Sequence, residues 1–175
     1  DLDRTEGLTQ LASVGLLWES MDLEAALKAA QSSVELLGIV VRQDSKTDAD
    51  ITCWLLARAG EGRLTDESGD YARARRVNDK AISQARSILA QKPGSRNFQY
   101  GLSRLLHWDA RSSVRGEVPP DADDSILHLA EIEEAVGMMS RLHSHYPESE
   151  GFHQNFADAL VDQALIQWRH AGTLE

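Results

Sequence analysis

The sequence predicts an all-α domain of about seven antiparallel helices, and three observations carry that prediction. Apolar residues recur at helical spacing, as at Ile82, Ala85, Ile88 and Leu89, and no stretch alternates with a period of two for long enough to form a strand. The stretch 69–106 reads as one long helix, a turn at Lys92-Pro93-Gly94 and the start of a second helix. The proline ends the first of these, because its ring removes a donor and pushes the residue before it out of helical geometry.

The third observation is that this hairpin recurs. Apolar residues stand five, nine, thirteen and seventeen positions after Pro93, at Phe98, Leu102, Leu106 and Ala110, and at the same offsets after Pro147, at Phe152, Phe156, Leu160 and Ala164. Five, eight and twelve positions before the prolines stand Ile88, Ala85 and Ala81 in one copy and Leu142, Met139 and Ala135 in the other. A weaker copy is centred on Lys46, with Val41, Gly38 and Val34 before it and Ile51, Leu55 and Ala59 after it. Three stacked copies suffice to bury a continuous core.

The first helix is expected over 4–20. Its apolar residues, Leu8, Leu11, Ala12, Val14, Leu16, Leu17 and Trp18, spread over more than one face, so Leu17 or Trp18 is expected to meet a partner chain or an upstream segment. A turn at Met21-Asp22 opens the second helix, which runs to about 43, and Asp22-Leu23 echoes Asp70-Tyr71. The third helix starts at Thr47 or Asp48, either able to cap free amides, and runs to about 67. Gly60 and Gly62 weaken its centre by about 1 kcal/mol each against alanine. They either let a neighbour or ligand approach closely or let the helix fray. The fourth helix covers 71–91 and the fifth 96–114. An acid-rich loop over 115–124 follows, with Asp123 or Asp124 capping a sixth helix over 125–145. The seventh covers 148–170.

A chain of 175 residues is one ordinary domain, taken as 1–173. Leu174-Glu175 reads as a cloning scar, which makes the chain a piece of a longer protein. A net charge of −10 opposes nucleic acid and anionic membranes. The longest apolar window, 36–41, is six residues, so no membrane insertion is expected. Cys53 is the sole cysteine, cannot form an internal disulfide and reads as a small hydrophobe. Cytoplasm and periplasm both stay open.

Gly69, Tyr71, Ala74, Ala81 and Pro93 resemble the second helix of a tetratricopeptide repeat (TPR), in which a glycine turn leads into spaced alanines and a terminal proline. The distance from Ala81 to the proline is twelve residues against about five in the usual motif. The extra seven residues are two turns and lengthen the helix without rotating its apolar face. The period between Pro93 and Pro147 is 54 residues rather than the strict 34, and His128 stands where Ala74 predicts a small residue. The resemblance is thus to a long-helix relative of the family. It implies TPR-like hairpins in a right-handed α-solenoid, as found C-terminal in bacterial Ser/Thr kinases and transmembrane regulators, where an aromatic-Gln pair such as Phe98-Gln99 follows the proline. It also implies a non-catalytic interaction or sensing role, with the first helix of each pair on the concave wall.

No catalytic constellation is legible. The chain has no Walker pattern, no Gly-x-Gly-x-x-Gly and no Gly-x-Ser-x-Gly elbow. The acidic loop lacks the spaced calcium-loop pattern. His143-x-His145 with Glu148, Glu150 and His153 is the densest histidine group, but only one Glu-x-x-His is present where a di-iron bundle needs two. Neither enzyme activity, nor a cofactor, nor a metal is expected. The candidate partner-binding residues lie elsewhere. Tyr100, Arg104, His107 and Arg111 form a stripe on the fifth helix, opposite its apolar face of Phe98, Leu102, Leu105 and Leu106. This is a positive track on an acidic protein, able to receive a carboxylate or acidic peptide, or to pair with Glu131, Glu133 and Glu134. Trp54 and Trp108 join it, since Trp18, Trp54, Trp108 and Trp168 fall one on each odd-numbered helix.

The expected function is therefore a non-catalytic protein-interaction or sensing module of a bacterial regulator, holding a peptide or partner domain on a groove of the odd helices. The alternatives are a small-ligand or metal-binding helical domain with a buried site, and a spacer that forms homodimers.

Overall fold

Among the described residues seven helices pack each on the next in chain order. The computed structural model describes residues 2–44, 46–115 and 122–171, and the expected loop at 115–124 and the pair at 174–175 lie largely or wholly outside them. The helices are α1 (Leu2–Glu19), α2 (Leu23–Val40), α3 (Asp48–Glu67), α4 (Tyr71–Gln91), α5 (Arg96–Arg115), α6 (Ala122–His145) and α7 (Glu150–Ala171), with no strand among the described residues. Each packs on the next, and α1 on α3, α3 on α5 and α5 on α7 make a continuous odd row. Among the described residues α2, α4 and α6 do not come within 8 Å of one another between α-carbons. None of these helices is long and apolar enough to cross a membrane.

Local chemistry sets the starts. Asp22 accepts from the Ala25 amide at 3.0 Å and Asp70 from the Arg73 amide at 3.1 Å, so the echoed Asp-Leu and Asp-Tyr pairs do the same work on α2 and α4. Thr47 caps α3 reciprocally: its Oγ1 accepts from the Asp50 amide at 3.2 Å while its own amide donates to Asp50 Oδ2 at 2.7 Å. Asp50 also takes two hydrogen bonds from Arg4, at 2.8 and 3.0 Å, which tie α1 to the start of α3. Gly69, at φ +86°, makes the left-handed step that ends α3.

The central core joins Leu37, Leu55, Ile82, Phe98, Leu102, Leu105, Leu106 and Met138, from α2 through α6. Satellite clusters flank it, one around Leu64 with Leu17 and Trp18, the other around Ile132 and Ile166. Fully burying one Leu or Phe contributes about 1.5–3 kcal/mol. The recurring offsets are buried on α5, but on α7 Leu160 and Ala164 are exposed, because no further described helix covers that face. Leu17 and Trp18 pack against α2 and α3 rather than facing outward; the outward residues of α1 are Leu2, Leu8 and Leu16. The sixth helix starts at Ala122, so Asp123 and Asp124 lie inside its first turn and do not precede it.

Candidate functional site

The α5 stripe runs against α7. Arg104 Nη1 donates to Asn155 Oδ1, and Asn155 Nδ2 donates to the Tyr100 hydroxyl at 2.9 Å. His107 Nε2 lies 2.7 Å from Asp162 Oδ2, which also accepts from Arg111 Nη1 at 3.0 Å. Burial raises the Asp162 carboxyl, but His107 and Arg111 outweigh it and hold it below its ordinary value. Burial likewise pushes Arg104 down, opposed by Tyr100 and Asp158. The partners of Arg104 and Arg111 are thus on α7. Of the α6 acids, Glu134 instead pairs with Arg86 at 2.5 Å and Glu131 with His128.

Trp108 is buried, with the guanidinium carbons of Arg63, Arg111 and Arg104 at 4.5, 5.0 and 5.4 Å from its ring centre. Arg63 stands equally 4.5 Å from Trp18, so one guanidinium links α1, α3 and α5. Trp168, the last of the four, is 79% exposed.

Trp54 belongs to a different place. The gap between α2 and α4, floored by α3, holds two pockets that share Val41, Trp54 and Gln84. One, about 520 Å³, is lined by Ile51, Ile88, Phe98 and neighbours. The other, about 750 Å³, carries Arg42, Arg58, Arg73 and Lys80 against Glu35 and Glu61. Trp54 Nε1, Arg58 Nε and Gln84 Oε1 have no hydrogen-bond partner. Gly38 keeps the wall thin there: a Cβ on it would meet Trp54 Nε1 at 3.5 Å and Arg42 Nη1 at 3.7 Å.

A third assembly lies between α5 and α6. Asp109 of α5 and His128 and Glu131 of α6 are all buried, and one ligand atom from each lies within 4.8 Å of the others. His128 Nδ1 is 3.3 Å from Glu131 Oε2. Neither oxygen of Asp109 and neither amide atom of Asn78, on α4, makes a hydrogen bond of good geometry, although Asn78 and Glu131 both stand close enough to the Asp109 carboxyl to act on it as hydrogen-bond neighbours. Burial first, then Glu131, pushes Asp109 up to about 8. Gly62 makes room for this amide, since a Cβ there would lie 1.8 Å from Asn78 Oδ1. The second glycine of α3 therefore serves close approach of a neighbour, and the first, Gly60, faces open space.

The histidines near residue 145 do not converge with carboxylates in this way. His143 and His153 meet edge to face at 4.1 Å, while Nδ1 of His145 bonds the Arg141 carbonyl of its own helix and Nδ1 of His153 the carbonyl of Ser149, just before α7. Burial, then Asp50, pushes the Cys53 thiol up, which suits a packing role. Sequence reading missed the interior group because it sought Glu-x-x-His and not the reverse order, His128-x-x-Glu131. The signal present was His128 itself, in a position that the recurrence assigns to a small residue. Comparison with family models, with curated proteins and with solved structures finds no match to this chain.

Proposed function

We propose that the domain is a non-catalytic protein-interaction module, a TPR-like helical-hairpin array, that holds an acidic, extended segment of a partner protein in the groove between α2 and α4. The observation that carries this reading is the groove's charge. Four basic side chains face two acidic ones on a chain whose net charge is −10. A field opposite to that of the whole molecule selects carboxylate-rich partners and speeds their arrival. The adjoining apolar pocket against Trp54 and Phe98 suits an aliphatic or aromatic anchor. The unpartnered indole N–H and Gln84 carbonyl suit a peptide backbone, which offers one donor and one acceptor per residue. The row of touching odd helices and separate even ones supports the array reading.

The test is a fluorescence-anisotropy titration with a panel of peptides that alternate hydrophobic anchors with Asp and Glu, alongside amidated versions of equal length. The double charge reversal Arg42→Glu and Lys80→Glu changes exposed residues and should weaken binding at least about tenfold, with affinity falling as salt rises. Equal affinity for acidic and amidated peptides, or no loss in the double variant, would reject the groove as the site.

A second reading, self-association, rests on α7, whose outer face exposes Val161, Leu165 and Trp168 at helical spacing. Sedimentation at several concentrations with Trp168→Ser decides it. A dimer abolished by the substitution supports this reading, and a monomer throughout removes it.

A further inference from the structure

We propose that Asp109, His128 and Glu131 form a closed site for one divalent transition-metal ion of the zinc, iron(II) or manganese class, fastening α5 to α6 beside Asn78 of α4. The inference is independent of the groove reading, since the two sites share no residue.

Geometry comes first. Bonds from zinc to nitrogen or oxygen of about 2.0–2.2 Å separate two ligand atoms by at most about 4.4 Å. The ligand atoms of Asp109, His128 and Glu131 already lie within 4.8 Å of one another, so a shift of a few tenths of an ångström closes the shell. His128 and Glu131 are three apart on one helical face, and Asp109 approaches from the adjoining helix.

Unmet bonding capacity is the second, separate observation. Asn78 is fully buried and both of its amide atoms lack partners, while its carboxamide sits close enough to Asp109 to act on it. Both oxygens of Asp109, itself 2% exposed, are likewise unpartnered. Buried polar groups in folded proteins are nearly always satisfied, so the two open oxygens of Asp109, beside an imidazole and a second carboxylate, call for a ligand that bonds them. The absence of a side chain at Gly62 is what seats the amide there.

Charge is the third. The carboxyls of Glu131 and Asp79 and the amide of Asn78 act on Asp109, with the His128 imidazole beside them. A 2+ ion offsets the charge of both carboxylates and leaves the interior neutral. One imidazole nitrogen and two carboxylates make a mixed, borderline donor set. Calcium prefers six to eight oxygens and magnesium keeps several waters, neither of which fits a dry pocket with a histidine.

The ion would have a structural role, because its protein ligands come from two helices, Asp109 from α5 and His128 and Glu131 from α6, and would fasten one to the other inside the fold. The test strips the purified chain with a chelator and then adds zinc, manganese, magnesium or calcium salts singly, reading stoichiometry by native mass spectrometry and stability by thermal melting. The expected result is one zinc or manganese ion per chain with a rise in Tm, and no rise with magnesium or calcium. Asp109→Asn and His128→Gln should each weaken binding more than about tenfold, and the paired surface variant His143→Gln with His153→Gln should leave it unchanged. Should Asp109→Asn fail to fold by circular dichroism, His128→Gln alone decides. No stoichiometric ion, equal response to calcium, or binding lost in the surface variant but kept in His128→Gln would overturn the site; the last outcome would assign the ion to the α6–α7 turn.

Discussion

His107 Nε2 and Arg111 Nη1 converge on one oxygen of Asp162, at 2.7 and 3.0 Å, so a single α7 carboxylate fastens two successive members of the α5 stripe. His107 is 1% exposed and Asp162 6%, which makes the arrangement interior even though each of its residues is polar. Asp162→Ala removes the acceptor and leaves a buried imidazole and a half-buried guanidinium without it. A loss of about 3 kcal/mol is expected, measured by urea unfolding.

The same carboxylate fixes a pH dependence. Its folded proton affinity is held below the ordinary value of 3.8, so the unfolded chain takes up the proton first as pH falls. The stabilisation is whole above about pH 5, declines through the ordinary range and is gone below the lowered folded value. The stability difference between wild type and Asp162→Ala should therefore shrink on acidification from about pH 5 toward pH 2. A difference that grows on acidification would contradict the assignment.

Gly60 and Gly62 should respond oppositely to one substitution. A Cβ at Gly60 meets nothing within 4 Å, and Gly60→Ala should stabilise by about 1 kcal/mol through helix propensity. At Gly62 the added atom would collide with Asn78 Oδ1, and Gly62→Ala should destabilise by about 1–3 kcal/mol in spite of the same propensity gain. Adding Asn78→Ala should recover most of that loss, read as a coupling in a double-mutant cycle.

Arg63 lies between two indole rings at 4.5 Å from each. Arg63→Ala should lower stability by about 1–2 kcal/mol and change the tryptophan emission. Arg63→Lys should recover only part, because an ammonium cannot stack as a planar guanidinium does. Full recovery by lysine would mean that charge alone matters.

Thr47→Ala breaks the reciprocal cap of α3 and should remove about 1 kcal/mol. Faster amide hydrogen exchange in the first turn of α3, with α5 unaffected, is the accompanying signature.

Helix positions were legible wherever local chemistry marks them. The expected fourth helix, 71–91, coincides with the observed Tyr71–Gln91, because Asp70 starts it and Pro93 follows its end. The expected second helix overran by three residues, since nothing in the sequence between Val40 and Gln43 marks a stop. The start of α6 was misjudged because its acids read as loop, although acids in a first turn favour the positive end of the helix dipole. The all-helical class was readable, and the stripe of Tyr100, Arg104, His107 and Arg111 does lie along one face. Its partners, Asn155 and Asp162, are more than fifty residues away, and periodicity carries no information on which helix lies opposite. The interior group was illegible for the same reason: its four members come from three helices and meet only after packing.

The separation of α2 from α4 also has a mechanical meaning. No α-carbon of α2 comes within 8 Å of one of α4 among the described residues, so the two helices are held at their spacing through α3 and through the side chains that line the gap over Trp54. On the proposed reading, a peptide lodged there would act as a wedge between them. Spreading the helices would then shorten its residence time.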